Sequence, residues 1–201
     1  MASPASAAPD HLPTRVIIVH GFRANVDAHW FPWLRDALAD RGIEATSVEL
    51  PLPEAPNAAD WEREVALALG TPDERTWIVG HSLGAVTSLR ALAAQLGDWR
   101  LGGVVFVSGF TGTLDTLPDL DEYLAEEVDV ERVADRIDTR VVIRSDDDTL
   151  VPPAASDALA RRLSAEIRVQ PGAGHFLEAD GMTSLPVVLD ALLQARPAPR
   201  T

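Results

Sequence analysis

The chain has 201 residues, 46% apolar and 24% charged, enough for one domain that buries roughly 70% of the surface its unfolded chain exposes. Seventeen basic residues against 31 acidic ones give a net charge of −14, which argues against nucleic acid or an anionic membrane as partner, since both need a basic patch. All 17 basic residues are arginine and there is no cysteine, so a lysine Schiff base, a Walker lysine, thiol catalysis, disulfides and thiolate metal sites are excluded.

In chain order, residues 1–14 are rich in Ala, Pro and Ser and read as a flexible tail. They lack the basic and apolar regions of a secretory signal. Arg15–Val19 predicts a buried strand. Trp30–Arg41 carries Trp33, Leu34, Ala37 and Leu38 at helical spacing, with Gly42 as a stop. Ile43–Leu50 predicts a second strand, followed by a proline-rich loop and a helix over Ala58–Leu69. Thr76–Val79 is the third strand and Leu83–Leu96 its helix, stopped by Gly97. Leu101–Ser108 and Arg140–Arg144 are further strands, and Pro153–Leu163 is the helix after the second of them. Glu166–Val169 is the sixth strand, Leu185–Leu193 the last helix, and residues 196–201 a second tail. A single domain over 15–195 results. No apolar run approaches the ~18 residues that span a bilayer, and a cytoplasmic protein is the expectation.

Apolar strands separated by helices predict an α/β fold: about six mostly parallel strands with helices on both faces. In such sheets function gathers at the carboxyl ends of the strands. A dinucleotide site is disfavoured, because the first strand runs into "HGFRAN" with one glycine rather than G-x-G-x-x-G. Asp146 to Asp148 lack the ligand spacing of a calcium loop, so no metal and no cofactor are expected.

Chemistry concentrates in "TWIVGHSLGAVTSLR", where a strand meets a helix at Gly-His-Ser-Leu-Gly. In G-x-S-x-G a sharp turn lifts the serine above the sheet in a strained conformation that needs small neighbours. Gly80 and Gly84 supply them around Ser82, and the helix starting at Leu83 aims its amides at the same spot. Ser82 alone would also suit a helix N-cap. A serine nucleophile needs a base, and the base an orienting acid, in the order Ser, Asp, His on elbows of this kind. His175, in "PGAGHF" after the sixth strand, is the only histidine downstream of the serine region. The acid lies among Asp146, Asp147 and Asp148 after the fifth strand, with Asp148 immediately before "TLVP"; Asp115 after the fourth strand is a further candidate. The backbone N–H groups of Leu83 and of Phe22, after His20-Gly21, are candidate oxyanion donors. His20, Trp30 and Phe176 are candidate pocket residues, with core packing the alternative for the aromatics and for Trp33.

With these residues placed, the sequence resembles the alpha/beta-hydrolase superfamily. Within it, the closer resemblance is to the small serine hydrolase family that includes retinoblastoma-binding protein 9 and bacterial YdeN-type proteins. The resemblance runs from about Val16 to Leu193 and rests on "VIIVHGF", "HWFPWL", "GHSLG", "VSGF", "DDTLVP" and "GHFLEADGMTSLP". It implies Ser82 as nucleophile, Asp148 as acid and His175 as base. It also implies a compact sheet, cofactor-free hydrolysis of small esters or amides, and a monomer. Gly109 to Asp138 holds only about thirty residues, one acidic helix over Leu120–Val128 among them, which is too few for a large cap domain. Two rival functions remain: a hydrolase-fold interaction protein with little turnover, and a lyase or perhydrolase working with the same triad.

Overall fold

The computed structural model describes residues 12–194, so residues 1–11 of the tail expected over 1–14, and all of the tail expected over 196–201, lie outside the described residues. Residues 12–14, expected to belong to the first tail, are already attached. Thr14 N–H donates to the Arg75 carbonyl at 2.9 Å and the Thr14 carbonyl accepts from Glu44 at 3.0 Å.

Six strands form one sheet: β1 (Arg15–Val19), β2 (Glu44–Ser47), β3 (Thr76–His81), β4 (Leu101–Val107), β5 (Ile137–Arg144) and β6 (Glu166–Val169). The spatial order is β2-β1-β3-β4-β5-β6, and every neighbouring pair is parallel. Side chains alternate across this sheet, as the two-residue period of a strand requires. Ile17, Val19, Ile78, Val104, Phe106 and Val142 enter one apolar cluster. Val16, Ile18, Trp77, Val79, Val105 and Val141 enter the other. The first cluster is covered by α2 (Ala58–Leu69), α3 (Leu83–Ala93) and α6 (Pro153–Leu163); the second by α1 (Phe31–Ala39) and α7 (Pro186–Gln194). Among the described residues no helix is long and apolar enough to cross a membrane.

The strand order reverses direction at β1, with β2 on one side and β3 on the other. A crevice forms at such a switch point beyond the carboxyl ends of the strands. The residues there are His20, Gly21 and Phe22 after β1, and Ser82 after β3.

Four expectations need correcting. β5 begins at Ile137 rather than Arg140, and α3 ends at Ala93 rather than Leu96. The second strand is shorter than Ile43–Leu50, because as an edge strand it has only β1 to pair with. The acidic helix expected over Leu120–Val128 is only the short α4 (Asp121–Leu124), and a separate α5 (Val130–Ala134) begins beyond its expected end. Arg90 of α3 supplies the reason: its guanidinium donates to the Tyr123 carbonyl at 2.7 Å and to the Glu126 carbonyl. Those carbonyls are then satisfied without a continuing helix, and Asp129 caps a new one by accepting from Arg132 N–H at 3.0 Å. The connection between β4 and β5 carries no large cap domain.

Candidate active site

β3 ends at His81 and α3 begins at Leu83, so Ser82 alone makes the turn, with φ 54° and ψ −121°. A non-glycine residue is held at such an angle only when its surroundings over-determine it. Here they do. A Cβ on Gly84 would stand 2.3 Å from the Val19 carbonyl oxygen, and one on Gly80 would meet Phe106 and Ala85 at 3.0 and 3.1 Å. A Cβ on Gly21 would lie 2.9 Å from that of Ser82. Ser82 N–H donates to the Val107 carbonyl at 2.9 Å, tying the corner to β4. The Ser82 side chain makes no helix-capping hydrogen bond, so the N-cap alternative is not what the turn is for. Among the described residues, no hydrogen bond uses the N–H of Phe22 or of Leu83.

The three consecutive aspartates have three different partners. Asp146 accepts from Gly172 N–H at 2.8 Å, and Asp147 from Gly174 N–H at 2.9 Å. Asp148 alone reaches the imidazole, with Oδ2 2.8 Å from His175 Nδ1. Its Oδ1 accepts from the N–H groups of Leu150 and Val151, both at 2.9 Å, and its Oδ2 also accepts from Ser108 Oγ at 2.7 Å. Burial pushes the Asp148 carboxyl up, but His175, Ser108 and the Val151 amide together outweigh it and hold the group below its ordinary value. Asp115 is exposed, and it is Asp148 that meets His175.

The main chain of His175 is gripped as firmly as its ring. Its N–H donates to Asp180 Oδ2 at 2.9 Å, and the same oxygen accepts from Leu177 N–H at 3.0 Å. Its carbonyl accepts from His81 Nε2 at 2.9 Å, which fixes the His81 proton on Nε2. Burial pushes the His81 pKa well below 6.5, with the nearby His175 adding to the effect, so His81 is a neutral donor. The His81 and His175 ring centroids are 4.9 Å apart, and this contact brings the base to the residue beside the nucleophile.

The pocket candidates lie deeper than expected. Trp30 and Phe176 are fully buried in the cluster under α1 and α7, and Trp33 packs against it. They back the site rather than line its mouth. His20 is 2% exposed, bonded through Nδ1 to the Gly21 carbonyl, its ring edge-on to Trp61. Ser82 and His175 keep only 4% and 7% exposure, a narrow window onto solvent. A separate cleft of about 700 Å³ meets the site only at Phe22; Glu54, Glu62, Glu122 and Tyr123 line it farther out, and neither Ser82 nor His175 does. Among the described residues no group of three His, Asp or Glu side chains is arranged to hold a metal ion.

Sequence reasoning missed Ser108, Asp180 and the structural work of His81. Ser108 and Asp180 stand within the segments "VSGF" and "GHFLEADG", but nothing in their spacing marks a bond to the carboxylate of the acid or to the main chain of the base.

Over residues 16–194 the chain matches the serine hydrolase family. It is 40% identical over 178 residues to YdeN of Bacillus subtilis (strain 168), covering 89% of this chain and 94% of YdeN. To the serine hydrolase RBBP9 of Rattus norvegicus it is 26% identical over 187 residues, covering 91% of this chain and 98% of that protein. The crystal structure of the ydeN gene product from B. subtilis superimposes with a TM-score of 0.86, over 89% of this chain and 96% of that one. Matched along this length, at this identity and in this architecture, the chain belongs to the serine hydrolase family.

Proposed function

We propose that this serine hydrolase cleaves small esters, and amides of similar size, through an acyl-enzyme on Ser82. The observation that carries the reading is the His175 Nδ1 to Asp148 Oδ2 contact of 2.8 Å. It commits Nδ1 as the donor and leaves Nε2 as the proton acceptor a serine needs. In the reaction His175 Nε2 takes the Ser82 proton as Oγ attacks the carbonyl carbon. The unengaged N–H groups of Phe22 and Leu83 hold the oxyanion, each worth about 10²–10³ in rate. His175 then protonates the leaving alcohol or amine, and water repeats the cycle on the acyl-enzyme. Asp148, kept ionised by its four hydrogen bonds, holds the tautomer and stabilises the imidazolium. The narrow window at Ser82 and the short β4–β5 connection favour short acyl groups over long lipids.

Intact mass after a fluorophosphonate, with p-nitrophenyl acetate turnover alongside, tests this reading. One adduct is expected on the wild type and none on Ser82→Ala. Loss of Ser82 or His175 should lower turnover by about 10⁶, and loss of Asp148 by about 10⁴. An unlabelled, inert wild type would refute the assignment and favour an interaction protein on this scaffold.

A further inference from the structure

Ser108 takes no part in the chemistry above, yet it touches the acid directly. It is the first residue beyond β4, only 1% exposed, and its φ is 47°, a region that non-glycine residues seldom enter. Its N–H donates to the Ile143 carbonyl of β5 at 2.9 Å, which locks its backbone between two strands. Its Oγ donates to Asp148 Oδ2 at 2.7 Å, and that same oxygen accepts from His175 Nδ1 at 2.8 Å. One residue earlier, the Val107 carbonyl accepts the N–H of Ser82. The end of β4 thus holds the backbone of the nucleophile and the carboxylate of the acid together.

A carboxylate offers about four acceptor positions, and Leu150 and Val151 occupy Oδ1. Ser108 and His175 therefore divide Oδ2. A hydrogen bond donated to an anion draws charge from the accepting oxygen, and an oxygen with less charge holds an imidazolium less strongly. We propose that Ser108 is a positioning residue that fixes Asp148 against His175 and tempers the charge on the oxygen they share. The proposal rests on the Ser82–His175–Asp148 reading above. After burial, which acts the other way, and His175 itself, Ser108 is among the groups that hold the Asp148 carboxyl low.

Other charged or titratable groups face this pair from every side. They are His29 ahead of α1, His81 at the end of β3, Asp147 beside the acid, and Glu178 and Asp180 in the turn after the base. None of them contacts the shared oxygen.

The test follows the His175 ring by NMR through a pH titration of the wild type, Ser108→Ala, Ser108→Gly and Asp148→Asn. The pH profile of kcat/KM for p-nitrophenyl acetate is measured on the same proteins. Both Ser108 variants should move the His175 titration and the acid limb of the profile upward by roughly half to one pH unit. Below that limb the rate then falls about 3- to 10-fold. Ser108→Gly relieves the backbone angle, so it carries the test if Ser108→Ala does not fold. A titration that stays within about 0.2 pH unit, or moves downward, in both variants overturns the proposal and leaves Ser108 a buried structural serine. Asp148→Asn separates the two readings. If it lowers the His175 titration while the Ser108 variants leave it in place, only the role of Ser108 fails. If it too has no effect, the triad assignment fails, and the role of Ser108 with it.

Discussion

Gly84 and Val19 lie so close across the elbow that a methyl group on Gly84 would stand 2.3 Å from the Val19 carbonyl oxygen. The contact is backbone against backbone, with no side chain able to move aside. Gly84→Ala must therefore push α3 away from β1 or reshape the turn at Ser82. We expect a loss of about 2–3 kcal/mol or more, read as a fall of roughly 5–10 °C in Tm. Gly112→Ala is the control, because a Cβ there meets nothing within 4 Å. Equal melting curves for the two variants would contradict the steric account.

The angle at Ser82 predicts that catalysis and stability pull in opposite directions. At φ 54° and ψ −121° a glycine is relaxed where serine or alanine is strained. Ser82→Gly should melt higher than Ser82→Ala by about 1 kcal/mol, after the entropy that glycine adds to the unfolded chain. Both variants should escape fluorophosphonate labelling. Identical Tm values would mean that the turn stores no strain.

Asp180 should matter to rate although it touches only the main chain around the base. Its Oδ2 collects the N–H groups of His175 and Leu177, and a Cβ on Gly174 would lie 2.7 Å from its carboxyl carbon. Asp180→Ala frees the backbone that aims the imidazole, and kcat should fall by about 10- to 100-fold. Asp180→Asn keeps an accepting oxygen and should lose less. Steady-state kinetics settles it: wild-type kcat in the alanine variant would remove Asp180 from the positioning network.

Stability should fall on the acid side of neutrality, and His81 gives the sign. Its folded pKa lies below the unfolded value of 6.5, so the unfolded chain binds the proton first. The stabilisation from neutral His81 is complete above pH 6.5 and is lost progressively as pH falls toward the folded value. Each such group contributes a slope of about 1.4 kcal/mol per pH unit in that window. His20 and His29 are lowered too, each chiefly by burial, and add in the same direction. Denaturant midpoints between pH 8 and pH 5 should therefore drop, and His81→Gln should flatten the curve. A flat wild-type curve would show that none of these rings is held neutral.

The elbow was legible in the sequence because its residues are contiguous. Gly80 and Gly84 stand two residues to either side of Ser82, although part of what they make room for, Phe106 of β4 and the Val19 carbonyl of β1, arrives from elsewhere in the chain. The central strands β1, β3 and β4 were legible because their apolar runs are buried on both faces. Residues that act through distant backbone atoms were not. Asp180 and Ser108 find their partners only once the sheet order is set, and no spacing rule announces either bond. The helix expected over Leu120–Val128 fails for a related reason, since Arg90 reaches in from another element and takes two of its carbonyls. Phe176 shows the limit of adjacency: with φ 60° its side chain turns into the core while His175 beside it faces Asp148.

The sheet order sets the sequence in which the machinery would fail on heating. Ser82 rises from a strand hemmed by β1 and β4, whereas His175 follows β6, a four-residue edge strand paired only with β5. Edges open before centres, because fewer apolar contacts hold them. Warming would release the base while the nucleophile still sits in an intact turn, and cooling would return it. Activity would then fade before the fold is lost, and its return on cooling would need no refolding.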